Sequence, residues 1–272
     1  MGKLKQEILA QVQLDLFESP EQPKLQEYPR TGEPVAVGDL SNEELLVLLA
    51  EANLSNVESL CTEVVNRSLD TAVPALVRLW RRFTGYGMKT PLLEQVSVLK
   101  TLAKLESLPA QTALRQIVLS VEVQGALLGP TLAASVDACL NLPEEFIAPL
   151  LQHENPYVRE SAFQLADRAG ITGQVLRDGL ADPFSSVRRA AAITLGLRGD
   201  TTAKEILLRE LRGNPSSRVI EAIAEISDDD MIVHLGRCAM SHPVYAAGII
   251  KILREMENPR ADKLADHISN QE

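Results

Sequence analysis

The stretch that decides the fold reads "HENPYVRESAFQLADRAG", His153 to Gly170, and shortly after it stands "LADPFSSVRRAAAITLGLRGD", Leu180 to Asp200. Both runs write Asn-Pro or Asp-Pro, then Val-Arg, then a small-residue segment closed by glycine. Proline suits the first turn of a helix, where its missing N–H has no partner to lose, and Asn or Asp ahead of it can cap the open amides. Each run therefore predicts a turn followed by a capped helix. Val158, Ala162, Leu165 and Ala166 recur at i, i+4, i+7 and i+8, as do Val187, Ala191, Thr194 and Leu195, which is one apolar stripe of a 3.6-residue period.

Further prolines extend the pattern. Pro130, Pro156, Pro183, Pro215 and Pro243 lie 26, 27, 32 and 28 residues apart, and Asn155, Asp182 and Asn214 precede three of them as expected N-caps. The stripe recurs at Leu132, Val136, Cys139 and Leu140 and at Tyr245, Ile249, Ile252 and Leu253. Val219, Ala222, Ile223 and Ile226 keep it with a shifted start. Shorter amphipathic helices are predicted between them, at Thr112 to Val123, Glu144 to Gln152, Thr172 to Leu180, Thr202 to Arg212, Asp229 to Met240 and Arg260 to His267. Each pair is a helical hairpin too small to bury its own apolar faces, so neighbours must stack, with Ala162, Ala191 and Ala222 permitting close approach.

Toward the amino terminus the period is fainter. Pro74 opens "PALVRLWRRF", which pairs with "PLLEQVSVLKTLAKL" from Pro91, and "LSNEELLVLLAEA", with Ser41 and Glu44 as a capping box, pairs with "VESLCTEVVNRSL". The expectation is an all-α domain over 40–272 of about seven hairpins and a terminal helix. Residues 18–39 hold four prolines and read as an extended linker. Before them, residues 1–17 carry Leu4, Ile8, Leu9, Val12, Leu16 and Phe17 on an amphipathic helix. It either folds back over the first hairpin or docks on another protein.

Composition bounds the function. Of 272 residues 45% are apolar, 24% charged and only 4% aromatic, which fits a helical globular chain. There is no apolar run of about 18 residues for a membrane span, no secretory signal in "MGKLKQEILAQ", and Gln6 stands where a myristoylation signal wants Ser or Thr. A cytoplasmic protein without membrane contact is expected. Cys61, Cys139 and Cys238 are too few and too scattered for a disulfide framework or a Cys-x-x-Cys metal site, and are read as buried small hydrophobes. The net charge of −10 is concentrated at the ends: −7 over 1–60, neutral over 61–149, +2 over 150–220 and −5 over 221–272. Such ends repel a phosphate backbone.

With these residues in view, "NPYVRESAFQLADRAG" and "DPFSSVRRAAAITLGLRGD" resemble HEAT-type repeats. The resemblance is good over 144–227 and fainter on either side. It implies a right-handed α-solenoid whose second helices line the concave face, a fold that mostly serves scaffolds and adaptors. It also implies that Arg159 and Arg188 bond an aspartate or carbonyl of the neighbouring repeat. In the third unit Arg218 precedes Val219, so the register departs from the family. Arg189 has no such family duty and is a candidate ligand contact.

Catalytic signals are sparse. The HEAT-like di-iron deoxyhypusine hydroxylases need several His-Glu dipeptides, and only His153-Glu154 is present, the other histidines being His234, His242 and His267. The HEAT-like DNA glycosylases want a basic face with tryptophans, whereas Trp80 is the sole tryptophan. A cyanobacterial HEAT-like class that attaches bilins to light-harvesting proteins leaves no short motif to test. The phosphate-loop, dinucleotide, zincin and serine-hydrolase motifs are missing, and "SDDDM", Ser227 to Met231, reads as the acidic start of a helix. The densest chemistry is "RLWRRFTGYGMK", where Arg78, Arg81 and Arg82 stand beside Trp80 and Tyr86, residue types enriched at interfaces. The expectation is a non-enzymatic scaffold without cofactor or metal, gripping a protein or peptide through Arg159, Arg188, Arg189, Arg78, Trp80, Arg81, Arg82 and Tyr86. The alternatives are RNA or single-stranded nucleic-acid binding through the same arginines, and a HEAT-like modifying enzyme or chromophore lyase.

Overall fold

The computed structural model describes residues 37–86, 89–120 and 123–270. The amphipathic helix expected over 1–17 and the linker up to residue 36 lie outside the described residues; the linker's last residues, Val37–Asp39, form a 3-10 turn. Cα packing divides the described chain into two units, 37–86 with 91–113 and 89–90 with 114–270.

In the first unit, α1 (Asn42–Ala50) begins with the expected capping box, Ser41 Oγ accepting from the Glu44 amide while the Glu44 carboxylate accepts from the Ser41 amide at 2.8 Å. It packs on α2 (Val57–Asn66) and α3 (Val73–Arg82), and α4 (Leu93–Lys104) packs on both α2 and α3. Gly85 takes φ +83° beyond the end of α3, in the left-handed region that glycine adopts without strain. The buried Gln95 side chain donates to the carbonyls of Phe83 and Tyr86, fixing that turn against α4.

Helix α5 (Leu108–Val118) begins four residues before the Thr112 start expected, because Ser107 supplies the first accepting carbonyl, to the Gln111 amide at 2.9 Å, and Pro109 falls in the first turn. From there the second unit alternates short and long helices: α6 (Leu128–Asp137), α7 (Glu144–Ile147) prolonged as 3-10 turns to Gln152, α8 (Pro156–Ala166), and α9 (Gln174–Asp178) prolonged to Ala181. Next come α10 (Ser185–Gly196), α11 (Lys204–Gly213), α12 (Ser217–Glu225), α13 (Asp229–Ser241), α14 (Ala246–Glu255) and α15 (Pro259–Ser269). The described residues thus form seven hairpins and a final helix, with no strand: an α-solenoid.

Two rows run through the second unit. The second helices α6, α8, α10, α12 and α14 pack in sequence, and α11, α13 and α15 form part of the other row. Val158, Ala162, Leu165, Ala166, Val187, Ala191, Thr194, Leu195, Val219, Ala222 and Ile223 are buried, so the stripes face the core as read. Thr194 even donates its hydroxyl to the Phe163 carbonyl at 2.7 Å, satisfying a buried polar group across two repeats.

Two details differ. Asn214 does not cap α12; Ser216 does, its Oγ accepting from the Val219 amide, because Asn214 already closes α11. Cys139 is exposed at φ +53° in the turn beyond α6, whereas Cys61 and Cys238 are buried as expected. The bond from the Leu140 amide back to the Ser135 carbonyl ends the helix there and rotates Cys139 outward.

Candidate functional site

The second-helix row is built by arginines. Arg159 forms a bidentate pair with Asp182, Nε to Oδ2 at 2.8 Å and Nη2 to Oδ1 at 3.0 Å, and its Nη1 donates to the carbonyls of His153 and Glu154. Arg188 repeats the local half of this arrangement, donating to the carbonyls of Asp182 and Pro183 at 2.6 and 2.9 Å. Both arginines thus close their own turn through the residues five and six positions back. Only Arg159 also meets an aspartate ahead of it: the following turn offers Asn214 where Asp182 stood, and among the described residues no carboxylate pairs with Arg188. Arg189 instead takes up the link, pairing with Glu210 at 3.2 Å and donating to the Asn214 carbonyl and Ser216 Oγ.

The acidic members are held ionised. Burial would raise the Asp182 carboxyl, yet the Arg159 guanidinium and the Phe184 amide bonded to it carry it below the usual carboxylate range. Asp200, bonded by the Thr202 hydroxyl and amide and by Arg177, is lowered too, as is Asp228 by Lys204 and the Met231 amide. Both caps therefore start a helix and link it to the preceding repeat.

Exposed apolar side chains mark the outer surface of this row. Tyr157, Phe184 and Val244 each follow the turn proline by one residue and are 73%, 49% and 83% exposed. The Arg159 guanidinium lies 5.6 Å from the Phe184 ring centre, a cation–π contact that orients the ring. Beside Tyr157, a groove of about 470 Å³ runs between α6 and α8, bounded by Gly129, Ala133 and Val136 on one side and by Glu160, Ser161 and Gln164 on the other. A second, of about 390 Å³, lies between α12 and α14 beside Val244, Gly248 and Lys251. A Cβ at Gly129 or Gly248 would meet nothing within 4 Å, so these glycines leave groove space that the packing does not require. Sequence reasoning missed both grooves; the signal available was glycine on helices at positions outside any turn.

The other expected residues lie in the first unit. Trp80 is buried in α3, while Arg78, Arg81, Arg82 and Tyr86 are exposed around its end. Arg82 donates to the carbonyls of Ala50 and Ala52, closing α1 as Arg159 closes its turn. His153 accepts from the Asn155 amide through Nδ1, a turn contact. Among the described residues no group of three His, Cys, Asp or Glu side chains is placed to hold a metal ion, and no helix is long and apolar enough to cross a membrane.

Stacked helical hairpins tied by turn arginines define an α-solenoid of the repeat type. Residues 143–227 match the family model of HEAT repeats, which bears out the resemblance read from the sequence. A similar solved structure is the complex of CpcE and CpcF of phycocyanin lyase from Nostoc sp. PCC7120, at TM-score 0.54 and 17% identity, covering 91% of this chain and 99% of that one. No curated protein matches the sequence. The match corrects the expectation of a non-enzymatic scaffold. A lyase is built on this architecture over almost its whole length, so the lack of a catalytic motif was not grounds for setting an enzyme aside.

Proposed function

We propose that this chain is a subunit of a HEAT-repeat lyase that attaches a chromophore to a protein. The observation that supports the reading is the extent of the likeness: alignment with the phycocyanin lyase complex takes in 91% of this chain, well beyond the HEAT-matched 143–227. Its ligand would be a bilin, and its partners an acceptor protein and a second HEAT-type chain, since the similar structure is itself a complex of two proteins. The groove between α6 and α8 suits such a ligand. Gly129 and Ala133 leave a flat apolar floor, Tyr157 offers a ring for stacking at the rim, and Glu160, Ser161 and Gln164 supply hydrogen-bonding groups along one wall. These residues bind and orient the chromophore for its attachment to the acceptor. The exposed Arg78, Arg81 and Tyr86 at the end of α3 are proposed as protein contacts, and Arg159, Arg188 and Arg189 as the frame that positions Tyr157 and Phe184.

Titrating the purified chain with a free bilin, followed by absorption and fluorescence, tests the groove. Saturable spectral change is expected, weakened at least about tenfold in Gly129→Leu, whose Cβ enters open space and whose helical spectrum is checked against the parent. An unchanged spectrum, or equal binding by both proteins, would contradict the assignment.

A further inference from the structure

The other helix row holds a cleft of different chemistry. Between α11 and α13 lies a space of about 280 Å³ bounded by Arg212, His234, Arg237, Cys238, Ser241 and His242, with no carboxylate in its lining. His234, Cys238 and His242 are four residues apart, which places all three on one face.

Two observations say the cations are not simply satisfied in place. Arg159, Arg177, Arg189 and Arg198 each pair with a carboxylate. Among the described residues neither Arg212 nor Arg237 does; Arg212 reaches only His234 Nε2, at 3.5 Å. And His242 Nδ1 is buried without a hydrogen-bonding partner, a condition that is unfavourable until something fills it. The helix ends do not absorb the charge. α11 and α13 both finish at the cleft, at Gly213 and Ser241, and bring roughly half a negative charge each. Against two guanidinium groups that leaves an excess of about one positive charge.

We infer that this cleft binds one small oxyanion, a carboxylate or phosphate group, between the Arg212 and Arg237 guanidinium groups, with Ser241 Oγ and the His242 imidazole completing its hydrogen bonds. Guanidinium groups grip planar or tetrahedral oxyanions through paired N–H donors, so two of them converging on one space define the ligand's chemistry. A metal ion is the poorer occupant: burial pushes the Cys238 thiol up, and the histidines and cysteine do not converge to ligating distance of a common centre. The cleft is separate from the grooves among the second helices, so it stands whether or not a bilin binds there.

The test is a titration of the full chain at fixed ionic strength, with inorganic phosphate in one arm and propionate in the other, following the histidine ring resonances by NMR. Saturable shifts at His234 and His242 are expected in at least one arm, and the responding arm names the group bound. Replacing both Arg212→Gln and Arg237→Gln should weaken the response by roughly tenfold per arginine. Both side chains are exposed, and the single Arg237→Gln variant serves if the double variant loses its helical spectrum. Absence of a saturable shift in both arms, or an equal response in the variant, would overturn the inference.

Discussion

At Gly179 an added Cβ would stand 2.4 Å from Phe163 Cζ and 2.8 Å from the Ala191 Cβ, and at Gly196 one would stand 2.6 Å from Leu207 Cδ1 and 2.9 Å from the Ala222 Cβ. These glycines are spacers between helices that touch. Gly129 and Gly248 face open space instead. Opposite signs follow: Gly179→Ala overpacks the interior and should cost about 1–3 kcal/mol, while Gly129→Ala should hold or raise stability by up to about 1 kcal/mol through helix propensity. Thermal midpoints of the two variants check this, and a fall for both would place Gly129 in the packing. Arg159 makes a sharper case. Its side chain is 12% exposed and that of Asp182 11%, so Asp182→Ala leaves a buried guanidinium without its counter-charge. A loss of about 2–4 kcal/mol is expected by denaturant unfolding. The HEAT resemblance had implied that Arg159 and Arg188 are links of a ladder, but the break after Arg188 became visible only where the Asn214 turn met it.

Among the elements, the turns do more than connect. Asp200 caps the 3-10 turn Thr201–Ala203 that runs into α11 and Asp228 caps α13, and Arg177 and Lys204 hold them from the repeat before, at 2.8 and 2.5 Å. Asp182, Asp200 and Asp228 all have lowered pKa values, so their contribution is complete above the ordinary aspartate value of about 3.9 and lost as pH falls through the lower folded-state values. Urea midpoints should therefore be flat near neutrality and drop below about pH 4, with a shallower drop in Asp182→Asn. An equal slope in that variant would mean that other carboxylates govern acid unfolding. The helices themselves were largely legible, because proline, caps and the 3.6-residue stripe agreed from Pro130 onward. Where they were misread, a local competitor decided: Ser107 and Pro109 started α5 early, Ser216 displaced Asn214 as a cap, and the turn after α6 carried Cys139 out of its stripe.

For the whole molecule, family and function separate. Repeats of turn, Val-Arg and small-residue helix were enough to identify a HEAT-type solenoid, because those residues perform the packing. A chromophore lyase stood among the alternatives but could not be preferred on those residues, since a surface that binds and orients a chromophore needs shape and a few polar groups rather than a spaced catalytic motif. Trp80 illustrates the limit. Its arginine-rich surroundings suggested a contact surface, yet its ring belongs to the core of α3 while Arg78 and Tyr86 stand outside. The measurement that tests the central claim most directly is chromophore attachment: the chain is co-produced with a candidate HEAT-type partner, a phycobiliprotein subunit and a bilin, and the denatured acceptor is assayed for bound chromophore. The account predicts covalent chromophore on the acceptor that requires this chain and falls sharply with Gly129→Leu. Attachment at the same level without the chain, or none in its presence under conditions where a known lyase pair succeeds, would contradict it.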